Sequence, residues 1–264
     1  MTMLTFAPVQ FGDPADLGKL VASLKDQTIS EWRLVVANNQ AERSSEVQGV
    51  IPQDTSLISH SENLGYLNGA VRALRSCGVD GWAVISNTDV IFEPDFVEAF
   101  GALVAAGKAE GVGIIAPAII DGSGHDQNPF MTTRPSTRSM GRRAAMFRFV
   151  PLARLVVLAA TMRKQRAGKR PPRIKPAGAI YAAHGSCFII APELLQSPAI
   201  DYPQFLFGEE IFLAEVARTQ GLSVLYAPQL RAAHAEHQST GVWRTRQVLK
   251  WQRDSARANW RRLR

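Results

Sequence analysis

An α/β fold, a mainly parallel twisted sheet with helices on both faces, is what the sequence predicts, on three observations. Short apolar runs alternate with longer helical stretches along the first 120 residues, the pattern of strands joined by helical crossovers. Helix starts carry their own signals: in DPADLGKLVASL, Asp13 suits the N-cap, Pro14 the first helical position and Asp16 the first turn. The 264 residues, 46% hydrophobic and 20% charged, suffice for one sizeable core and are ordinary for a globular chain.

The elements follow in order. MLTFAP (3–8) is a strand, residues 13–24 a helix, WRLVVA (32–37) a second strand and TSLIS (55–59) a short third. GYLNGAVRALRSC (65–77) is a helix stopped by Gly78, WAVIS (82–86) a fourth strand, and EPDFVEAFGALVAA (93–106) a helix with Pro94 near its start. VGIIAPAII (112–120) is the next strand. The alternation breaks after Asp121. DGSGHDQNPFMTTRPSTRS (121–139) is polar and rich in turn residues, which predicts a mobile loop. Residues 141–176 mix apolar and basic side chains in a helical-looking run before a Pro-rich stop. AHGSCFIIAPELL (183–195) returns to strand and helix start, and FGEEIFLAEVARTQGLSVLYAP (207–228) gives helix, a stop at Gly221, and strand. The C-terminal stretch is a basic helix carrying Trp243, Trp251 and Trp260. No internal repeat is visible.

The net charge of +7 is unevenly spread. Thirteen Lys or Arg and no acid lie between Gln127 and Pro192, and eight bases against one acid, Asp254, from Trp243 to Arg264. The rest of the chain is acidic. A basic insert and tail on an acidic body point to a polyanionic surface, anionic lipid or nucleic acid. Cys77 and Cys187 form no CxxC pair and sit in apolar surroundings, which favours buried thiols over a disulfide or zinc site. The N-terminus shows no basic and apolar leader, and no window reaches about 18 uninterrupted apolar residues. These features read as cytoplasmic.

One stretch, WAVISNTDVIFEPDF (82–96), sets an acid, Asp89, between apolar runs, with Asn87 two positions before it. A carboxylate there is costly unless a partner, most simply a cation, compensates it. Ligands of open α/β sheets bind outside the carboxyl ends of the strands, and Asn87-Thr88-Asp89 closes the fourth strand. A turn Asp capping the next helix is the plainer reading.

VVAN (35–38), NLGYLNG (63–69), NTD (87–89), GSCF (185–188), GEEIFLAEVAR (208–218) and YAPQLRAAHAEHQSTG (226–241) occur in this order. Together they resemble the inverting family 2 glycosyltransferases of GT-A fold, with the rhamnosyltransferase-like branch the nearest flavour. The resemblance spans residues 3 to 241 except the basic insert. It implies one domain: residues 1–120 as the nucleotide-sugar-binding half, 121–176 as a basic insert, 177–241 as the acceptor and catalytic half, and 242–264 as a basic helix. It implies a divalent metal, Mg²⁺ or Mn²⁺, at Asp89 on the donor's diphosphate, with His234 as a further ligand of metal or phosphate. Asn87 would face the ribose or the metal's water shell. Asn63, Gly65 and Gly69 would let backbone approach the nucleotide, although a helix start with packing glycines explains them equally. At Ala37 the family usually has an acid on the base, so base recognition would fall to Asn38, Asn39 or backbone near Pro8. Phe212 stands where a later acid would be. Glu210 would be the base that takes the acceptor's proton, with Glu209 the second catalytic candidate, capping the helix or holding a basic neighbour. His184 and His237 receive no role.

The reading is therefore a glycosyltransferase that moves a sugar from a nucleotide-sugar to a glycan or lipid-linked acceptor with inversion, assisted by a metal. The basic insert has three readings: a lipid-facing amphipathic surface, a nucleic-acid patch, or a solvated connection. Lipid-linked acceptors favour the first and make nucleic acid unlikely as a partner. A sugar-nucleotide pyrophosphorylase is the alternative enzyme, though a Gly-rich, Lys-containing signature after the first strand is missing. A basic nucleic-acid-binding protein would explain the charge but not the acids at strand ends.

Overall fold

The structure is a computed structural model and describes residues 2–146, 175–235 and 246–264. Half of the basic insert, residues 147–174, together with His237 and Trp243, lies outside the described residues.

Among the described residues, nine strands form one mixed sheet. They are β1 (Leu4–Gln10), β2 (Trp32–Asn38), β3 (Ser56–Ser59), β4 (Trp82–Asn87), β5 (Val90–Phe92), β6 (Val112–Asp121), β7 (Gly178–Ile180), β8 (Cys187–Ile190) and β9 (Ser223–His234). Their order is β3-β2-β1-β4-β8-β6-β9-β5, with β7 paired to β9. The half made first, β3-β2-β1-β4, is parallel throughout, as its helical crossovers require. Strand β8 runs antiparallel to both β4 and β6, β6 and β9 are parallel, and β5 and β7 are antiparallel additions to β9. Sequence reading passed over β5 and β7, each three residues long. It also ended β9 too early, because that strand runs on beyond Pro228 as far as His234.

The crossover helices are α1 (Ala15–Lys25), the short α2 (Ser44–Gln48), α3 (Tyr66–Ser76) and α4 (Phe96–Ala105). Helix α5 (Thr137–Met146) lies within the insert, and after it come α6 (Pro192–Gln196), α7 (Glu209–Thr219) and α8 (Arg246–Arg262). The two-residue period of each strand divides the core between the two sheet faces. Phe6, Val84 and Ile189 join α1 and α4 on one face, where Phe6, Phe92 and Phe96 stack edge to face. Their neighbours Ala7, Ile85 and Ile190 face the other way, onto α3, α6 and α7. Cys77 and Cys187 are both free thiols, and burial pushes that of Cys187 far up.

Helix α8 packs as an integral part of the body. Its Leu249 and Ala256 meet Ala144 of α5, and Leu263 meets Met140 and Ile211. A buried ion cluster fixes this corner: Glu215, 1% exposed, takes two hydrogen bonds from Arg134 at 2.8 and 2.9 Å, one from Tyr181, and two from Arg218. Burial pushes the Glu215 carboxyl up, but the hydrogen bonds from Arg134, Arg218 and Tyr181 outweigh it and pull it down to about 2. Arg134 and Thr137 also donate to the Leu263 carbonyl, which ties the end of the chain to the start of α5.

Candidate active site

Strand β4 ends at Asn87, and Thr88-Asp89 turns the chain directly into β5. That strand pairs antiparallel with the end of β9, with Val90 opposite His234. The pairing, closed by the Ala235 amide on the Asp89 carbonyl at 3.1 Å, brings two buried side chains together. His234 Nε2 lies 3.2 Å from Asp89 Oδ1. His234 Nδ1 lies 2.9 Å from Gln127 Oε1. A carboxamide oxygen only accepts, so this assignment puts the ring proton on Nδ1 and turns the Nε2 lone pair toward Asp89. In that tautomer two lone pairs face each other across 3.2 Å, an arrangement suited to a metal ion between them. Octahedral ligands at about 2.1 Å from a metal stand about 3 Å apart, so this pair fits two adjacent corners of such a site. No cluster of three His, Cys, Asp or Glu suited to a metal occurs among the described residues. A hard cation held here would complete its shell from water and phosphate oxygens, as Mg²⁺ commonly does.

Residues 184–186 come alongside because β8 pairs with β4. Ser86 is opposite Cys187, and the Asn87 amide donates to the Ser186 carbonyl at 2.9 Å. His184 Nδ1 is 2.9 Å from Ser186 Oγ, which in turn is 3.5 Å from Gln127 Oε1. Gln127 belongs to the segment expected to be a mobile loop. It is instead closely hydrogen-bonded. Asp121 Oδ1 accepts from the amides of Ser123 and His125, and Asp126 Oδ1 from those of Ile119 and Asn128. Tyr226 donates to Asp126 Oδ2, and Asn128 Oδ1 accepts from the His184 amide. Side chains that read as turn formers thus hold a fixed loop, which carries Gln127 to His234 and sets Phe130 edge-on to His184 at 5.5 Å.

Helix α7 starts after two left-handed residues, Phe207 (φ 72°) and Gly208 (φ 83°). Glu209 is buried, and its Oε1 accepts from the Phe207 amide at 3.0 Å. Glu210, about 100° further round the helix, points into a cavity against Gly185. A Cβ on Gly185 would lie 2.8 Å from Glu210 Oε1, so the glycine of GSCF makes room for this carboxylate. Burial first, and then the charge of Glu210, hold the Glu209 carboxyl above the usual range. Burial also raises Glu210, opposed by its own backbone amide and by Arg143 of α5. The loop before α7 is clamped by α8: Ser255 and Tyr202 hydroxyls donate to the Phe207 carbonyl, and Asn259 Nδ2 donates to the Gly208 carbonyl at 2.9 Å. No side chain fits on Gly208, where a Cβ would come 2.5 Å from Asn259 Nδ2.

The cavity has a volume of about 340 Å³. Of the residues expected from the sequence, Asn87, Glu209, Glu210 and His234 line it, and Asp89 stands behind His234. Tyr66, Phe130, His184 and Gln252 also line it and were not anticipated. His184 had a signal, its place just ahead of GSCF, but the others depend on loop and helix docking that no local pattern reports.

The remaining expected residues lie at the ends of β1 and β2 and at the start of α3. Pro8 is buried in β1 opposite Ser86. Asn38 is 0% exposed; its amide donates to the Gln40 carbonyl and to Ser44 and Ser59, and its carbonyl accepts from the Gln40 amide. The Asn38 side chain therefore braces the turn behind the surface rather than presenting a polar group to a nucleobase. Asn39 does the same for the next loop, donating to the Gly65 carbonyl and accepting from the Leu64 amide. Asn63 Oδ1 accepts from the Gly65 amide at 2.9 Å. Gly65, at φ 79°, passes so close to the Phe205 carbonyl that no Cβ fits, and Gly69 sits against the Asn39 amide.

The family described as Glycosyl transferase family 2 matches residues 10–162. Two strains of Mycobacterium tuberculosis supply a relative, N-acetylglucosaminyl-diphospho-decaprenol L-rhamnosyltransferase. It is 24% identical over 251 residues, covering 90% of this chain and 78% of the relative. Among solved structures, GalNAc-T7 with UDP, GalNAc and Mn²⁺ superposes with TM-score 0.58 at 12% identity, over 93% of this chain and 44% of that one. S. aureus TarS 1-349 in complex with UDP-GlcNAc gives TM-score 0.58 at 10% identity, over 91% and 60%. The chain thus spans about half the length of these structural neighbours, and at such identities the likeness is one of fold.

Proposed function

Proceeding from the fact that the chain belongs to glycosyl transferase family 2, we propose that it moves a sugar from a nucleotide-sugar to a hydroxyl of an acceptor held in the cavity beside Glu210, with inversion at the anomeric carbon. Glycosyl transfer itself follows from the family; the residue roles, the stereochemistry and the substrates are the proposal. One observation carries it: a cation-seeking pair, Asp89 and His234, and a carboxylate held above its usual range, Glu210, meet at one cavity at the carboxyl end of β4.

Glu210 takes the proton of the acceptor hydroxyl as its oxygen attacks the anomeric carbon. The bond from that carbon to the diphosphate breaks in line, and the nucleoside diphosphate departs with the electron pair. A raised carboxyl suits this, because proton transfer is most effective when the base's pKa approaches the working pH. Arg143, which lowers Glu210 toward its ionised form, keeps it able to accept. Asp89 and His234 would hold the Mg²⁺ or Mn²⁺, with Asn87 beside them. Once bound, such an ion neutralises charge on the leaving diphosphate. Glu209 stays with the Phe207 amide and shapes the helix start. The nucleotide would lie over the ends of β1 and β2, near Pro8, Asn63, Gly65 and Gly69, with Asn38 bracing the turn beneath.

The relative's printed name supports a deoxysugar donor and an amino sugar on a polyprenyl diphosphate as acceptor. A lipid-borne acceptor gives the basic residues a use. Arg142 of α5 and Arg246 and Lys250 of α8 are exposed, and each basic side chain near an anionic leaflet contributes about 1 kcal/mol. No helix among the described residues is long and apolar enough to cross a membrane, so docking would be peripheral, at the face where lipid-linked precursors are presented. Liposome co-sedimentation tests this part: binding to anionic vesicles at low salt should exceed binding to neutral ones. The central test is a thermal-shift screen of UDP-, GDP- and dTDP-sugars with and without Mn²⁺ or Mg²⁺, followed by NMR of the product's anomeric configuration. A retained configuration would end the single-displacement reading.

A further inference from the structure

We propose that Gln252, on α8, recognises the acceptor: its side-chain oxygen accepts a hydrogen bond from a second hydroxyl of the sugar whose first hydroxyl Glu210 deprotonates. The inference rests on the functional reading above and adds a residue from a segment, 242–264, that the family resemblance does not reach.

Helical spacing is the first ground. Ser255 and Ala256 lie three and four positions after Gln252, and Asn259 lies four and three after them, so the four share one face of α8. Ser255 and Asn259 are held on the Phe207 and Gly208 carbonyls, immediately before Glu209 and Glu210. That docking fixes the face and turns Gln252, one turn earlier, into the cavity lined by Glu210, His184 and Tyr66.

The second ground is an unanswered oxygen. Gln252 Oε1 is buried and has no hydrogen-bond partner. Buried carbonyl oxygens are nearly always paired, and one left over at a ligand cavity calls for a donor from the ligand. The chemistry of that donor is restricted. The carboxamide oxygen itself cannot pair with phosphate oxygens, which at neutral pH carry no useful proton, so the group it calls for is a donor such as a hydroxyl. A sugar hydroxyl satisfies it and leaves its own oxygen for a neighbouring donor. Two hydroxyls of one ring, one on Glu210 and one on Gln252, fix which of them is presented for attack.

The test uses the full chain, the nucleotide-sugar selected by the donor screen, and N-acetylglucosamine diphosphate on a short prenyl chain together with its monodeoxy analogues. With the wild type, one deoxy analogue other than the one lacking the attacking hydroxyl should lose roughly tenfold in kcat/KM. Gln252→Met, of similar length and without the carbonyl, should lose about the same on the complete acceptor and be indifferent to that deletion. Gln252→Glu, which restores an accepting oxygen, should recover the discrimination. Melting temperature and the thermal shift given by the donor with metal should be equal in all three, which a general disturbance of fold would not allow. If Gln252→Met discriminates among the analogues as the wild type does, the assignment is overturned while the functional reading stands. If the wild type neither hydrolyses nor transfers from any of the donors, the functional reading fails and the assignment falls with it.

Discussion

Gly185→Ala should slow transfer without disturbing the fold or the donor site. Gly185 is not among the glycines of positive φ, so its backbone admits alanine without strain. The three atoms nearest the added methyl would all belong to Glu210: Oε1 at 2.8 Å, Cδ at 3.4 Å and Cγ at 3.6 Å. An ordinary carbon–oxygen contact is about 3.4 Å, so the carboxylate must retreat by about 0.6 Å. Glu210 can yield, since it is the far end of a flexible side chain, and the cost appears as lost alignment rather than lost stability. Misplacing a reacting group by 1 Å can cost 10²-fold, so a retreat of this size should lower kcat/KM roughly tenfold, or about 1.4 kcal/mol of transition-state stabilisation. The assay is initial-rate transfer at saturating donor, with the metal-dependent thermal shift by the donor as the control, which should match wild type. A Gly185→Ala enzyme transferring at the wild-type rate would show that Glu210 is not the base or is not held where the structure puts it.

Other substitutions separate the roles. Glu210→Gln keeps shape but accepts no proton, so transfer should fall by roughly 10²–10⁴ while donor binding persists; a reversed result between Glu210→Gln and Glu209→Gln would exchange their roles. Glu209 is an acid whose folded-state pKa is raised, so the wild type loses stability as pH climbs from the ordinary carboxylate range toward the raised value. Glu209→Gln keeps an oxygen for the Phe207 amide, and its melting temperature should rise relative to wild type over that climb; a gap independent of pH would refute the assignment. Asp89→Asn should lose most of the metal-induced thermal shift and most activity, and undiminished metal response would remove Asp89 from the site. Glu215 is the opposite case, a carboxyl drawn down to about 2. Its ionised network adds about 3 kcal/mol above the ordinary carboxylate pKa and loses it as pH falls toward 2. Glu215→Gln should melt roughly 5–10 °C lower near neutral pH, and the two curves should converge in acid.

The parts of the fold legible in the sequence were those with a period. Phe6, Ala7 and Val84, Ile85 alternate between two layers, and helix starts such as Asp13-Pro14 announce themselves. The cap position falls one residue later than expected, on Pro14, and the Asp13 carboxylate ahead of it accepts from the Ala15 amide at 2.9 Å. Illegible parts were long-range pairings of short segments. Val90–Phe92 is too brief to read as a strand, yet its register with β9 is what sets His234 on Asp89. The loop from Asp121 looked mobile because Asp, Asn and Ser read as solvated turn residues. Whether such side chains bond water or the amides of Ile119 and Asn128 is decided by tertiary docking. Asn38 illustrates the converse error, in which a polar residue at the end of a strand looked available and proved to be fully used by Gln40, Ser44 and Ser59.

The clamp of α8 on the loop before α7 has a consequence for how the enzyme is made. Asn259 and Ser255 bond carbonyls 51 and 48 positions earlier in the chain. During synthesis the parallel half of the sheet, over whose ends the nucleotide would lie, emerges and can close on itself long before α8 leaves the ribosome. Until then the Phe207–Gly208 turn lacks those bonds to α8, and the start of α7 is not yet held in place. On the roles proposed above, a nascent chain would complete its donor site first, and the docking of α8 would then set the acceptor side.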